Sequence, residues 1–273
     1  MTSRIGLVAW HVFKENVRDR ALYGLAAFAV LLVAASVLIG QLTAGQDVKI
    51  VKDLGLAAIE LSGVVMAILI GVGLVSREIE RRSIYSLLSK PLGRAEFIIG
   101  KYCGLVLTLL VNVAAMTAAF LVILACLGET SWAPAVGAVR VAEAPILDPA
   151  LLVAVLLIFA ELALLTAVAL FFSTFSSGAS LGTMFSLGLF VAGHFGGDLR
   201  RMAELVASPA VRVVMRATAA LLPAFSAFDV KDQVVHGVPV PLGFIGLTLL
   251  YGAAYTAATL GAAIAVFSCR EFK

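Results

Sequence analysis

Two carboxylates stand inside long apolar runs: Glu60 in LGLAAIELSGVV and Glu161 in LLIFAELALLTA. An ionised group at mid-membrane costs at least ~2.5 kcal/mol, so such a residue usually faces a partner or a wet cavity. Two readings of Glu161 follow. It is a polar contact lining a substrate path or a subunit interface, or it is a neutral carboxyl bonded to the backbone or a hydroxyl of a neighbouring helix. The same choice applies to Glu60, about two turns into its run, which has the added option of reaching the membrane interface.

The richest polar stretch is SREIERRSIYSLLSKPLGRAEFIIGKY, residues 76–102, wedged between two apolar runs. Glu78, Glu80, Arg81, Arg82, Lys90, Arg94 and Glu96 alternate in sign, while Ile79, Ile84, Leu87 and Leu88 supply an apolar side. Pro91 disfavours helical geometry at Lys90, and Gly93 permits a turn. The segment therefore reads as a short amphipathic helix, a Pro-Gly stop and the start of the next span. A plain connector needs neither the Leu87-Leu88 pair nor a helix stop, so a docking helix is the more economical account.

Enzymatic motifs are missing. Gly-x-x-x-x-Gly-Lys-[Ser/Thr] is absent, and Gly93 to Gly100-Lys101-Tyr102 has the wrong spacing and no Mg²⁺-binding hydroxyl. His-Glu-x-x-His and Gly-x-Ser-x-Gly are also absent. His11, His194 and His236 lie on different elements and predict no shared metal site. Cys103, Cys126 and Cys269 form neither a disulfide framework nor a Cys-x-x-Cys pair. The expectation is a chain with no catalytic, cofactor or metal site and no nucleic-acid partner.

The elements that must position these residues are membrane spans. Of 273 residues, 62% are hydrophobic and 14% charged, against about a quarter charged in a soluble domain. Mean hydropathy is +1.06. At ~1.5 Å per residue, about 20 apolar residues cross a ~30 Å hydrocarbon core. Six runs qualify: 21–40, 54–75, 102–127, 150–172, 178–194 and 242–267. The predicted fold is all-α: a single transmembrane domain over residues 1–273, six transmembrane helices, a polar loop at 76–101 and an outer helical segment at 195–241. The first run is too long for a signal-peptide core and no small-x-small site follows it, so it is expected to remain.

Orientation follows from Lys and Arg. With both termini cytoplasmic, Arg4, Lys14, Arg18, Arg20, the six basic residues of the 76–101 loop, Arg270 and Lys273 lie inside, and the remaining eight of 20 lie outside. Residues 3–18 form an amphipathic helix with Ile5, Val8, Ala9, Val12, Phe13 and Val17 on one face. Trp10 sits at headgroup depth, and Lys14 and Arg18 face the polar side. This helix is either an anchor or an elbow against a cytosolic partner. In the outer segment, Asp198–Ala207 and Val211–Ala220 read as two short helices broken at Pro209. They make a surface lid, an exit gate or a docking site.

The 76–102 stretch resembles the loop between the second and third spans of type-2 ATP-binding-cassette permeases. It is most similar to the branch of copper-enzyme-maturation and gliding-type exporters. The Ser-Arg-Glu start, RRSIYSLLSKP, Arg-x-Glu-Phe and Gly-Lys-Tyr carry the likeness. Weaker agreement covers LLPAFSAFDVKDQVVHG and the CREFK end.

The resemblance implies two permease chains, identical or related, paired with two cytosolic ATPase subunits that bind ATP and Mg²⁺. It implies a coupling helix built from Glu78, Arg81, Arg82, Leu87, Leu88, Pro91 and Arg94, flanked by Trp10, Lys14 and Arg18 on the elbow helix. It also implies membrane lipid contact and a bacterial inner-membrane location. The copper label is not carried over, because few Met or His residues are placed to handle copper. Two other functions remain open: an ion-coupled transporter or channel using Glu161, and a non-transporting membrane scaffold.

Overall fold

The computed structural model describes residues 2–18, 27, 30–35, 47–80, 93–130, 148–176, 178–206 and 208–269. Among them the regular structure is helical: α1 (Thr2–Val17), α2 (Asp47–Glu80), α3 (Arg94–Thr130), α4 (Ala150–Phe175), α5 (Ala179–His194), α6 (Gly196–Leu205), α7 (Pro209–Leu221), a 3₁₀ turn (Phe225–Ala227), α8 (Lys231–Val235) and α9 (Leu242–Cys269). Four helices, α2, α3, α4 and α9, are long and apolar enough to cross a membrane, and the number rises to six if α5 with α6 and α7 with Phe225–Val235 are each one bent span. The protein is therefore a multi-pass membrane protein. Of the first predicted span, 21–40, only residues 27 and 30–35 are described; these are helical, and Val33 packs into the main core.

Helix α4 is the central post. Its apolar residues run all the way round, so it buries Leu157, Leu162, Leu164, Leu165 and Ala169 against several neighbours. It packs against α2, α3, α5 and α9. Buried hydroxyls in this apolar setting bond back to their own helix, as Thr166 does to Leu162 O (2.7 Å) and Thr108 to Gly104 O (2.9 Å). Such back-bonding satisfies a hydroxyl where no water can. Ser173 instead donates across to Val72 O on α2 at 3.1 Å. Helix α9 is less apolar than α4 but apolar enough to span, and it is largely exposed, as befits a face turned to lipid or to another subunit.

Neighbour pairs fix the direction of each helix. Gly63 and Gly71 of α2 meet Leu162 and Ala169 of α4, so those two helices run parallel. Phe97 of α3 stacks on Phe267 of α9, while Tyr102 of α3 donates to Ala163 O of α4 (3.3 Å). Helix α3 therefore begins where α4 and α9 end. One end of the bundle holds α1, the start of α3 and the C-terminal ends of α4 and α9. The other end holds the start of α2, the C-terminus of α5 and the 221–235 segment, which packs on α9 through Tyr251 and Tyr255.

At the first end, α1 lies in a groove of α3 made by Gly100 and Gly104. A Cβ at Gly104 would stand 2.6 Å from Ala9 O and 2.7 Å from Val12 Cβ. Only hydrogen fits there. Val12, Ile98, Leu105, Ala263 and Phe267 form the small core beneath, while Trp10, Lys14 and Arg18 face outward, exposed.

Candidate functional site

Two regions were singled out by sequence, and the structure treats them differently. In the polar loop, Glu78 lies near the end of α2, its side chain outside what is described; Arg81, Arg82, Leu87, Leu88 and Pro91 lie outside the described residues. Arg94 is described and is already engaged. Its Nη1 donates to Phe267 O (3.2 Å) and Ser268 O (2.6 Å) in the last turn of α9. A cation at a helix C-terminus meets the unsatisfied carbonyls and the negative end of the dipole. Beside it Gly93 N donates to Glu96 Oε2 at 3.3 Å, half of a capping box that starts α3.

Replacing Arg94 with Ala is expected to lower the detergent-solubilised protein's melting temperature, by removing about 1–2 kcal/mol of charge-assisted bonding. Arg94→Lys should recover much of the loss, because one nitrogen, Nη1, makes both bonds and an ammonium carries three donors. An unchanged melting temperature would show that the two bonds contribute nothing.

The two intramembrane carboxylates do meet. Parallel packing of α2 on α4 sets Glu60 and Glu161 side by side in the half of the bundle away from Arg94. Glu161 is 1% exposed and Glu60 8%. Two further residues complete a cluster. Lys231, at the start of α8, donates from Nζ to Glu60 Oε2 and has Asp229 Oδ1 at 3.7 Å. His194, the last residue of α5, has Nε2 3.6 Å from Glu161 Oε1. Neither of these partners lies in the interior of an apolar run.

Local sequence explains how they arrive. Gly193 lets the 223–225 turn press onto α5, since a Cβ there would stand 2.4 Å from Pro223 O. That contact seats Phe225 against Phe190 and His194. The chain then turns through Phe225–Ala227 into α8, whose first residue is Lys231. Asp229 Oδ1 accepts the Lys231 backbone N–H at 3.2 Å and shapes that start.

Sequence alone puts Glu60 and Glu161 in apolar helices but does not reveal Lys231 and His194 as their partners. By charge counting, Lys231 belongs with the solvent-facing outer residues. A weak signal exists: Lys231 sits in FDVKDQVV, a lone basic residue among apolar ones with an acid on either side. His194 carries none, because only the bend after α5 brings it to Glu161.

Chemically, the Glu60–Lys231 pair is neutralised and holds the 221–235 segment to the bundle. The Glu161–His194 contact is suited to holding a proton or a cation. Ligand atoms of Glu60, Glu161 and His194 all lie within 4.8 Å of one another. Sequence reading set these histidines apart from any shared metal site, and the fold brings one of them, His194, to two carboxylates.

The outer helices α6 and α7 are tied by arginines. Arg200 Nη2 donates to Ala219 O (3.3 Å) and Arg212 Nη2 to Val206 O (2.9 Å), each near a helix C-terminus. Arg201 pairs with Asp198 on its own helix. Arginines set among apolar residues thus close the α6–α7 hairpin.

No curated protein is significantly similar to this sequence. The profile of the ABC-2 family transporter proteins, in contrast, matches residues 7–271. That range takes in most of α1, the polar loop, the buried cluster and α9. The chain belongs to the ABC-2 transporter family, as a membrane permease.

Proposed function

We propose that this permease is the membrane half of an ATP-driven exporter, with its energy supplied by a separate cytosolic ATPase that docks on the 76–101 loop. The observation that carries the reading is the family match across 7–271, joined to a loop rich in Arg81, Arg82, Lys90 and Arg94 beside Leu87-Leu88. The bundle gives that loop a rigid base. It leaves α2 and enters α3 at the end where α1, α3 and α9 interlock. Motion applied there passes into α3 and, through Arg94, into α9.

In this reading Glu78, Arg81, Arg82, Leu87, Leu88, Pro91 and Arg94 form the coupling surface, and Trp10, Lys14 and Arg18 border it. The partner holds ATP and Mg²⁺. A second permease chain packs on an apolar face, and α9, largely exposed, offers one. Both termini are cytoplasmic, and the bacterial inner membrane is the site of action. Apolar span surfaces favour a hydrophobic or amphipathic cargo.

The test is co-purification of the tagged chain from membranes in mild detergent, wild type beside Leu87→Asp/Leu88→Asp. A nucleotide-binding ATPase recovered with wild type and lost by at least about tenfold with the variant is the expected result. Two aspartates on the apolar side would desolvate without partners and abolish docking. No ATPase with either chain would overturn the proposal.

A further inference from the structure

We propose that Glu60, Glu161 and His194 form a binding site for a divalent cation of the zinc class, which displaces Lys231 from Glu60 when it binds. This goes beyond ATPase coupling and does not depend on it.

The tautomer of His194 is the first point. Its Nδ1 lies 3.4 Å from Phe190 O, one turn back on α5. A carbonyl only accepts, so the tautomer that uses this contact puts the proton on Nδ1 and a lone pair on Nε2. That lone pair faces Glu161 Oε1 at 3.6 Å. Oε1 is itself a buried acceptor with no hydrogen-bond partner. Two acceptors thus confront each other inside a low-dielectric bundle, an arrangement that calls for something electropositive between them.

The separation admits a metal as well as a shared proton. A hydrogen bond would draw nitrogen and oxygen to about 2.7–3.2 Å. Two ligands at about 2.0–2.1 Å from a tetrahedral zinc stand about 3.3 Å apart. The observed gap is wider than the hydrogen bond and close to the ligand spacing.

The rest of the shell closes by a small movement of Glu60, since two ligands at about 2.1 Å from one zinc stand at most about 4.2 Å apart. Glu60 spends Oε2 on Lys231, and its ligand atom joins the other two within 4.8 Å. Ligating histidines as a rule donate their second ring N–H to a backbone carbonyl or carboxylate, as His194 does. Its ring is held by Phe190 and Phe225, with centroids 4.7 and 6.1 Å away. One imidazole with two carboxylates suits zinc-like ions better than calcium or magnesium, which take oxygen ligands. Three protein ligands leave a fourth position for water or a cargo group. His194, 28% exposed at its side chain, gives an entry to an otherwise closed site.

Lys231 is the counterpart. Glu60, Glu161 and Asp229 against one ammonium leave the cluster two charges negative. A divalent ion held by Glu60 and Glu161 neutralises both, and it repels the ammonium from the Glu60 oxygen it occupies. Lys231 has somewhere to go, because Asp229 Oδ1 lies 3.7 Å from its Nζ. Binding would therefore loosen the tie between α2 and the 221–235 segment.

The experiment uses the full chain, purified with a histidine-free tag and stripped by chelator, titrated with Zn²⁺ by calorimetry and metal analysis. Wild type is expected to retain one zinc per chain. Glu161→Gln and His194→Ala should each weaken binding about 100-fold, and Lys231→Met should tighten it about tenfold by removing the competing cation. His194→Cys keeps a ligand, so loaded with Co²⁺ it should show a thiolate-to-cobalt absorption that wild type lacks, a readout independent of any loss of folding in the other variants. Wild type without zinc, or Glu161→Gln binding as tightly as wild type, would overturn the proposal and leave a proton as the occupant of the gap. Weaker binding in Lys231→Met, or a His194→Cys cobalt spectrum identical to wild type, would overturn it too.

Discussion

Lys231→Met should lower the melting temperature of the metal-free permease by about 6–12 °C, as expected for roughly 3 kcal/mol lost when one partner of a buried ion pair is removed. The loss is not that of the salt bridge itself. It is the cost of leaving the Glu60 carboxylate, 8% exposed, in an apolar bundle with no counter-charge. Glu60→Gln should destabilise less, because the ammonium keeps Asp229 Oδ1 at 3.7 Å. The double variant Glu60→Gln/Lys231→Met removes both charges and should recover most of the stability. Thermal unfolding of the four proteins in one detergent measures the coupling. A double variant as unstable as the sum of the singles would show that the pair does not hold the 221–235 segment.

Gly104→Leu should unseat α1. The new Cβ would stand 2.6 Å from Ala9 O, a backbone atom inside a helix, and 2.7 Å from Val12 Cβ. A side chain can rotate away from such a contact, but a helical carbonyl moves only with its helix. Overpacking of this kind costs about 1–3 kcal/mol, and among the described residues α1 is held by the small core around Val12, Ile98 and Leu105. The check is thiol accessibility of Val12→Cys, in a chain whose exposed Cys103, Cys126 and Cys269 have been replaced. Position 12 is 4% exposed, so maleimide labelling should be slow when Gly104 is kept and at least about tenfold faster when Gly104→Leu is added. Equal labelling in both would refute the groove as the seat of α1. Gly100→Leu, whose Cβ would meet Val8 at 2.8 Å, should act in the same direction more weakly, because a side chain can yield.

The two predictions probe opposite ends of the bundle. Under the ATP-driven function proposed above, force would enter at the α1–α3–α9 end and cargo would gate at the other. Arg94 on α9 and the Glu60–Lys231 tie are then the first and last fixed points of one mechanical path. Arg94 has two roles to reconcile. Resemblance to a family loop nominates it as a docking residue, yet its guanidinium caps α9. Docking at the 76–101 loop would act on α9 through that cap.

Much of this protein is legible in its sequence because a bilayer leaves few options. Backbone groups in hydrocarbon must bond within their own segment, so long apolar runs become helices. Residues 54–75, 102–127, 150–172 and 242–267 all lie inside helices that the structure extends to Asp47–Glu80, Arg94–Thr130, Ala150–Phe175 and Leu242–Cys269. The extensions are mostly polar turns beyond the hydrophobic stretch, which hydropathy does not count. Amphipathic spacing marks α1, and Pro209 marks the break between α6 and α7. The Gly-x-x-x-Gly at 100 and 104 is visible but uninformative, since 24 glycines in an apolar chain produce such spacings by chance.

Composition and periodicity by themselves determined the class, the helices and the polar loop, because these depend on neighbours a few residues apart. Tertiary structure alone decided which charges meet. Lys231 is 171 residues from Glu60, and His194 stands on the helix after the one that carries Glu161. Their encounter depends on parallel packing of α2 with α4, on the close approach at Gly193 and on the turn that starts α8. A buried charge takes whichever partner the packing brings within reach, and one-dimensional order carries no record of that distance.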